Sequence, residues 1–160
     1  MYDTRAGLSI TVREKVSPLL QARVADGIDL LSQVKFAHWN VKGPHFLTLH
    51  QLFDRLAGIV AELVDLLAER LVALGGRVCG TARMVASQST LAEFRLDAID
   101  GLEMVAAVAD QLAAFGKAVH VNIVEATKLG DSNTADLFTE VSREIDKQLW
   151  LAEAHLQAGC

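Results

Sequence analysis

The sequence predicts an all-α fold, a four-helix bundle with a long connection between its second and third helices. Only two prolines, Pro18 and Pro44, occur in 160 residues, so little in the sequence interrupts long helices. Apolar residues recur at helical spacing over four long segments. They make up 51% of the chain, which is enough for a sizeable core. We therefore take residues 1–160 as one domain.

The periodicity predicts four helices, over about 8–37, 45–74, 97–128 and 134–158. Pro44 suits the first position of the second helix, where its missing N–H costs no hydrogen bond. The glycines Gly75 and Gly76 suit the end of that helix, and Gly130 suits the end of the third. Residues 131–134 (DSNT) offer N-cap side chains for the fourth helix.

Residues 75–95, between the second and third helices, are the least periodic part of the chain. We predict a connection with a short helix near 89–95. A connection of this length suits a crossover between two helical hairpins better than a tight turn. Four helices with one such crossover form the ferritin-like type of bundle.

The second helix carries one stripe of acidic, imidazole and small side chains. Spacings of three and four residues place these positions on one face: His50, Asp54, Gly58, Ala61, Asp65 and Glu69. Imidazole and carboxylate groups together suit a divalent transition metal, Fe(II) in particular. The stripe therefore predicts a metal site.

The two ends of the stripe are too far apart to share one metal ion within one helix. Asp54 and Asp65 are separated by about 16.5 Å along the axis, whereas a metal–ligand bond is about 2 Å. Two antiparallel copies related by a two-fold axis at the middle of the stripe remove this obstacle. They place His50 opposite Glu69 of the partner subunit and Asp54 opposite the partner subunit's Asp65. The small residues then lie at the crossing, and the symmetry generates the shared site twice.

The spacing alone also permits purely structural explanations for the same residues. Asp65 and Glu69 are also consistent with a solvated helix face, and His50 with Asp54 is consistent with a surface pair. His38, near the end of the first helix, is suited to completing the site or to an ordinary core position. The whole stripe is alternatively a packing seam. The chain has no Glu-x-x-His motif, so the usual di-iron site inside one bundle is not predicted.

Several motifs together resemble one known family. They are His38-Trp39-Asn40-Val41-Lys42-Gly43, Phe46, His50-x-x-x-Asp54 and Asp65-x-x-x-Glu69-Arg70, together with the segment 131–150. Over nearly its whole length the chain resembles the mini-ferritins, the Dps family of DNA-binding proteins from starved cells. The resemblance implies a hollow homo-dodecamer with ferroxidase centres at its two-fold interfaces.

On that pattern the metal ligands are His38, His50 and Asp54 from one subunit with Asp65 and Glu69 from its partner. The resemblance implies a ferroxidase that oxidises Fe(II), preferring hydrogen peroxide to dioxygen. It stores ferric mineral in the shell and so protects DNA. Zn(II) competes for ligand sets of this kind. The alternative function is a nucleoid-associated DNA-binding protein with incidental metal binding.

The resemblance also assigns residues around the centre. It places Trp39 beside the metals, as a catalytic side chain that can be oxidised. Asp131, Asp136 and Glu140 resemble the acidic pore segment of the family. The alternative for Asp131 is helix capping, and for the other two it is the ordinary role of acids at a helix start.

Charge and composition limit the kinds of molecule that this protein is expected to bind. The formal net charge of −5 argues against a protein that holds nucleic acid by general positive charge. Residues 1–9 contain Arg5 as their only cation, so we predict weak or absent DNA binding.

The two cysteines, Cys79 and Cys160, lack a CxxC spacing, which fits a reducing compartment. With no targeting segment and no membrane span predicted, we expect a soluble protein of the cytoplasm, where association with the nucleoid is also compatible.

Overall fold

A computed structural model describes residues 1–157 and confirms the all-α class. This part of the chain forms five α-helices: α1 (Ile10–Asn40), α2 (Phe46–Ala73), α3 (Ala82–Gln88), α4 (Gly101–Lys128) and α5 (Ser132–Glu153). The first two long helices form one hairpin and the last two form another. The short α3 lies in the crossover between the hairpins and packs on α1.

The four long helices share one apolar core. Its largest fully buried side chains include Phe53 of α2, Phe115 of α4 and Phe138 of α5. α1 and α2 approach closely at Gly27, where an added Cβ atom would lie 2.6 Å from a methyl carbon of Val64. The short connection over residues 41–45 brings the C-terminal end of α1 beside the N-terminal end of α2, which is where the candidate site forms.

The ends of the first hairpin differ slightly from the prediction. α1 continues to Asn40, so His38 and Trp39 lie in its last turn rather than beyond it. α2 begins at Phe46, and Pro44 belongs to the preceding turn instead of the helix itself. The predicted stop at Gly75 is confirmed, since this residue has a φ of +85°, a conformation that favours glycine.

The predicted short helix in the crossover is in the wrong place. The helix spans Ala82–Gln88, whereas residues 89–95, where we predicted it, are not helical. Polar contacts with α1 explain the difference. Ser89 donates a hydrogen bond to Asp29 (2.6 Å), and the backbone N–H of Thr90 donates to the buried Asp26 (2.6 Å). These contacts hold the start of that segment against α1 in a non-helical conformation.

The last helix begins and ends earlier than predicted. Asp131 caps it by accepting a hydrogen bond from the backbone N–H of Thr134 (3.1 Å), so α5 begins at Ser132. The helix ends at Glu153 rather than at 158. Residues 158–160, with Cys160, lie outside the described part of the chain.

α4 contains a long apolar stretch with few charged side chains. By length and composition alone, an 18-residue stretch of this helix with a mean hydropathy of 1.2 would suit a membrane span, whereas none was predicted from the sequence. Most of that stretch is buried inside the bundle, and the side chains of Leu112, Phe115 and Val119 are fully enclosed. Packing in the core accounts for the apolar character of this helix.

Candidate metal centre

Two histidines from different helices form the centre of the candidate site. The rings of His38 and His50 stack with centroids 3.8 Å apart. His38 Nδ1 lies 2.9 Å from the backbone carbonyl oxygen of His50, and His50 Nδ1 lies 2.9 Å from that of His38. Because a carbonyl oxygen only accepts hydrogen bonds, both Nδ1 atoms must donate. In the neutral rings both Nε2 atoms then carry the free lone pair that a metal ligand requires.

Asp54 completes a cluster of three predicted ligands within one subunit. It lies one turn after His50 on α2, and its Oδ1 atom is 3.8 Å from Nε2 of His38. Its side chain is 61% exposed, so the cluster opens to the outside of the subunit. Two imidazole nitrogens and a carboxylate form a donor set that suits a divalent transition metal such as iron.

Lys35 also belongs to this cluster, although its place there was not predicted from the sequence. Its Nζ atom donates a hydrogen bond to Oδ1 of Asp54 at 2.9 Å. This hydrogen bond, together with the positive charge of Lys35, lowers the pKa of Asp54 below its usual range. The sequence spacing could have indicated this position, because Lys35 precedes His38 by one helical turn and so lies on the same face of α1.

Trp39 lies at the edge of the cluster. The Lys35 Nζ atom is 6.0 Å from the centroid of the indole ring, within the range of a cation–π contact. Trp39 is 69% exposed, an unusually open position for so large an apolar side chain. The predicted place beside the metals therefore stays a prediction, with a geometry that is consistent with it.

Asp65 and Glu69 lie on the same exposed face of α2 but away from the histidines. Along the stripe every residue after His50 is exposed. At Gly58 an added Cβ atom would meet nothing within 4 Å. His38, His50 and Asp54 lie side by side, but within residues 1–157 no three His, Cys, Asp or Glu side chains are arranged so that they could hold a metal ion by themselves. One subunit therefore presents two separate parts of the predicted ligand set on one uncovered surface.

The residues predicted for a pore have different environments. Asp131 is only 1% exposed, and its two carboxylate oxygens lie 2.8 and 3.0 Å from the Arg70 guanidinium. Burial raises the pKa of Asp131, but hydrogen bonds from Thr134 and Arg70 outweigh it and hold the pKa below its usual range. The capping alternative thus describes Asp131 within the subunit. Asp136 and Glu140 are exposed, and a pore role stays a prediction.

Comparisons with known proteins agree with this architecture. The family model described as ferritin-like domain matches residues 18–159. The DNA protection during starvation protein of Agrobacterium fabrum is 33% identical over 156 residues, which cover 98% of this chain and 96% of that protein. The protein of the same name from Brevibacillus brevis is 28% identical, with 94% of this chain and 100% of that protein covered.

The solved structures give the same result. DpsC from Streptomyces coelicolor superposes with a TM-score of 0.93 at 28% identity, covering 99% of this chain and 93% of that one. Similarity of this extent in sequence and in structure means that the chain belongs to the ferritin-like family and, within it, to the Dps proteins.

Proposed function

We propose that this protein is a mini-ferritin that oxidises Fe(II) at centres shared between two subunits. It stores the ferric product inside a dodecameric shell and so protects DNA from oxidative damage. The observation that carries this proposal is the reciprocal hydrogen bonding of His38 and His50, which leaves both Nε2 atoms free, with that of His38 3.8 Å from the Asp54 carboxylate. Iron is the substrate and the cargo in this proposal.

A second subunit would complete the ligand set. A two-fold axis at the middle of the α2 stripe places Asp65 of the partner subunit opposite Asp54 and the partner subunit's Glu69 opposite His50. The exposure of the stripe supports this arrangement, because one subunit leaves that face uncovered. The open space at Gly58 would let the two helices approach closely at the crossing.

The chain supplies ligands and an ordered site. Imidazole and carboxylate bind Fe(II) and remain good ligands for Fe(III). With hydrogen peroxide as oxidant, two Fe(II) ions each lose one electron, the O–O bond breaks, and two protons are taken up to form two water molecules. Lys35 would have to release Asp54 when iron binds, since both compete for the same carboxylate oxygen. Trp39 provides an oxidisable indole near the centre.

Long-range charge would favour the delivery of iron. The formal net charge is −5 per chain, and the exposed Asp136 and Glu140 lie near the start of α5. Negative charge along an entry route raises the local concentration of cations such as Fe(II). The same donor set also suits Zn(II), so we expect Zn(II) to inhibit by competition.

The first test is Fe(II) oxidation by hydrogen peroxide under anaerobic conditions, comparing the parent with Asp54→Ala. We expect the variant to elute at the assembly size of the parent and to oxidise Fe(II) at least about tenfold more slowly, since a carboxylate that would bind the iron directly is lost. Asp110→Ala, which removes an exposed carboxylate from α4, is the matched control and should behave as the parent. Equal rates for the parent and Asp54→Ala would reject the proposed centre.

A mixing experiment tests whether the site is shared. Asp54→Ala and Asp65→Ala subunits are each expected to be inactive as pure assemblies. In a mixed dimer, one of the two centres receives an intact Asp54 from one subunit and an intact Asp65 from the other. With random mixing of equal amounts, about a quarter of all centres become complete, and activity should return to about that fraction. A site confined to one subunit would show no recovery.

A further inference from the structure

A pair of opposite charges runs beside the ligand stripe on α2. Arg55 follows Asp54 by one residue, and Glu62 follows Ala61 by one residue, so both charges lie on the same side of the stripe. Both side chains are exposed. Neither is among the ion pairs within 4.0 Å that residues 1–157 form with one another.

The two charges cannot satisfy each other within one subunit. Seven residues along a helix separate Arg55 from Glu62 by about 10.5 Å, or two turns. Glu62 lines a groove between α2 and α5 together with Arg143 and Lys147. Lys147 instead lies 3.4 Å from Glu144. Arg143 forms no ion pair within 4.0 Å either, so within residues 1–157 neither Arg55 nor Glu62 has an ion-pair partner, and both charges are open to one from a second copy.

The proposed two-fold axis would bring these charges together. For two antiparallel helices related by such an axis, the same side of one helix meets the same side of the other. The midpoint between Arg55 and Glu62 lies one residue before the midpoint of the ligand stripe. Across the axis the two side chains are therefore offset by two residues, or about 3 Å along the helices. Arginine and glutamate side chains are long and flexible enough to span such an offset.

We propose that Arg55 forms an ion pair with Glu62 of the partner subunit, twice across the two-fold axis, and that this pair selects a second copy of this chain in the correct register. The proposal rests on the proposed function for the position of the axis. It extends that function by naming residues that recognise the partner and do not bind metal. Between the two ion pairs, Ile59 is half-buried in one subunit and would meet its own copy near the axis.

The order of the charges explains how they would fix the register. Sliding the two helices so that the axis passes through Arg55 opposes two arginines, and sliding it to Glu62 opposes two glutamates. Like charges at an interface disfavour the wrong arrangement more strongly than a correct pair favours the right one. Only a register near the middle of the stripe pairs opposite charges, and this is the register that completes both metal centres.

A charge-swap series tests the pair. In Arg55→Glu and in Glu62→Arg, two like-charge contacts replace two attractive ones. We expect each single variant to raise the dimer dissociation constant by at least about tenfold at low salt, and less at high salt because exposed charges are screened. The double variant R55E/E62R should recover an assembly close to that of the parent. Arg83→Glu, which reverses an exposed charge on α3, is the matched control and should assemble normally.

Sedimentation velocity over a concentration series measures the assembly, and far-UV circular dichroism confirms that every variant is folded. Parent-like assembly of both single variants would overturn the proposal, and so would a double variant no better than the singles. A failure of the proposed ion pair can be told apart from a failure of the proposed ferroxidase function. If the charge reversals have no effect while Asp54→Ala stops oxidation, the ion pair is rejected and the ferroxidase stands. If the swap rescues assembly while Asp54→Ala oxidises Fe(II) normally, the ion pair stands and the proposed ferroxidase centre is rejected.

Discussion

At the scale of single residues, the candidate centre contains its own competitor for metal. The ammonium group of Lys35 binds the Asp54 oxygen that a metal ion would need, and it also faces the indole of Trp39. The ordered histidine pair shows no such conflict, because its Nδ1 atoms are already used by carbonyl oxygens. The two imidazoles are thus oriented to bind a metal ion, whereas the Asp54 carboxylate is already paired with the ammonium group of Lys35.

We predict that Lys35→Met strengthens Fe(II) binding. Removing the ammonium frees the carboxylate and removes a positive charge near the incoming cation. Since an exposed ion pair is weak, we expect only about a fivefold lower half-saturation concentration, measured by anaerobic titration calorimetry. Lys15→Met, at an exposed position near the other end of α1, should bind Fe(II) as the parent does. Weaker binding by Lys35→Met would instead mean that the lysine positions Asp54.

At the scale of helices, a partly buried ion pair joins the end of α2 to the start of α5. Arg70 donates hydrogen bonds to both oxygens of Asp131 and, through Nε, to the hydroxyl of Thr134 at 2.9 Å. The two helices otherwise touch little, because a polar groove separates them further along. This junction therefore fixes where the second hairpin starts relative to the first.

We predict that Asp131→Asn destabilises the protein by about 2 kcal/mol at neutral pH, since hydrogen bonds to a charged group are lost. The pKa of Asp131 is lowered in the folded protein, so its carboxylate stabilises the fold above the unfolded pKa of about 3.9 and loses this effect as the pH falls below it. The difference between parent and variant should therefore shrink below about pH 4.

Thermal unfolding at one protein concentration, from pH 6 to pH 3, measures this difference. Asp136→Asn, an exposed change in the second turn of α5, should show a small and nearly constant difference from the parent. A gap for Asp131→Asn that grows as the solution becomes acidic would contradict the assignment.

At the scale of the whole molecule, one face of the subunit is uncovered. It combines the α2 stripe with exposed apolar side chains, among them Trp39, Leu47 and Val72. A monomer gains nothing from exposing such groups together with unpaired charges, whereas a second copy could cover them. The same face holds every predicted metal ligand, so assembly and chemistry would depend on one surface.

We predict that Gly58→Leu disrupts assembly without unfolding the subunit. Within one subunit there is open space at this position, and leucine is a better helix former than glycine by about 0.8 kcal/mol. At the proposed crossing, however, the added side chain would hold the helices apart. Light scattering after size-exclusion chromatography should therefore show smaller species. Ala114→Leu, at an exposed position of α4, is the control; unchanged assembly of Gly58→Leu would argue against a two-fold axis there.

We also predict that the assembled protein does not shift DNA in a gel at neutral pH. The chain is acidic, and its first residues are held on the bundle, where the backbone N–H of Tyr2 donates to the carbonyl of Gly75 at 2.7 Å. Binding through phosphates requires accessible cations and is sensitive to salt. A variant with six lysines added at the N-terminus is the positive control. A strong shift by the parent that disappears with salt would support the nucleoid-binding alternative.

The sequence alone determined the four long helices and the identity of the candidate ligands. Both follow from local regularities: apolar residues every three or four positions, a glycine stop at Gly75, and a stripe whose spacing is that of one helix face. The resemblance in motifs then assigned His38 to the ligand set and Trp39 to a place beside it, and both roles stay predictions. These features need no knowledge of how one helix packs on another.

The tertiary structure decided what depends on contacts between distant segments. It placed the crossover helix before residue 89, because Asp26 and Asp29 of α1 bind the segment that follows. It paired Lys35 with Asp54 and enclosed Asp131 with Arg70. Helical periodicity gives the face on which a side chain lies but not the rotation of one helix against its neighbour. The partner of each charge was therefore decided only when the helices packed.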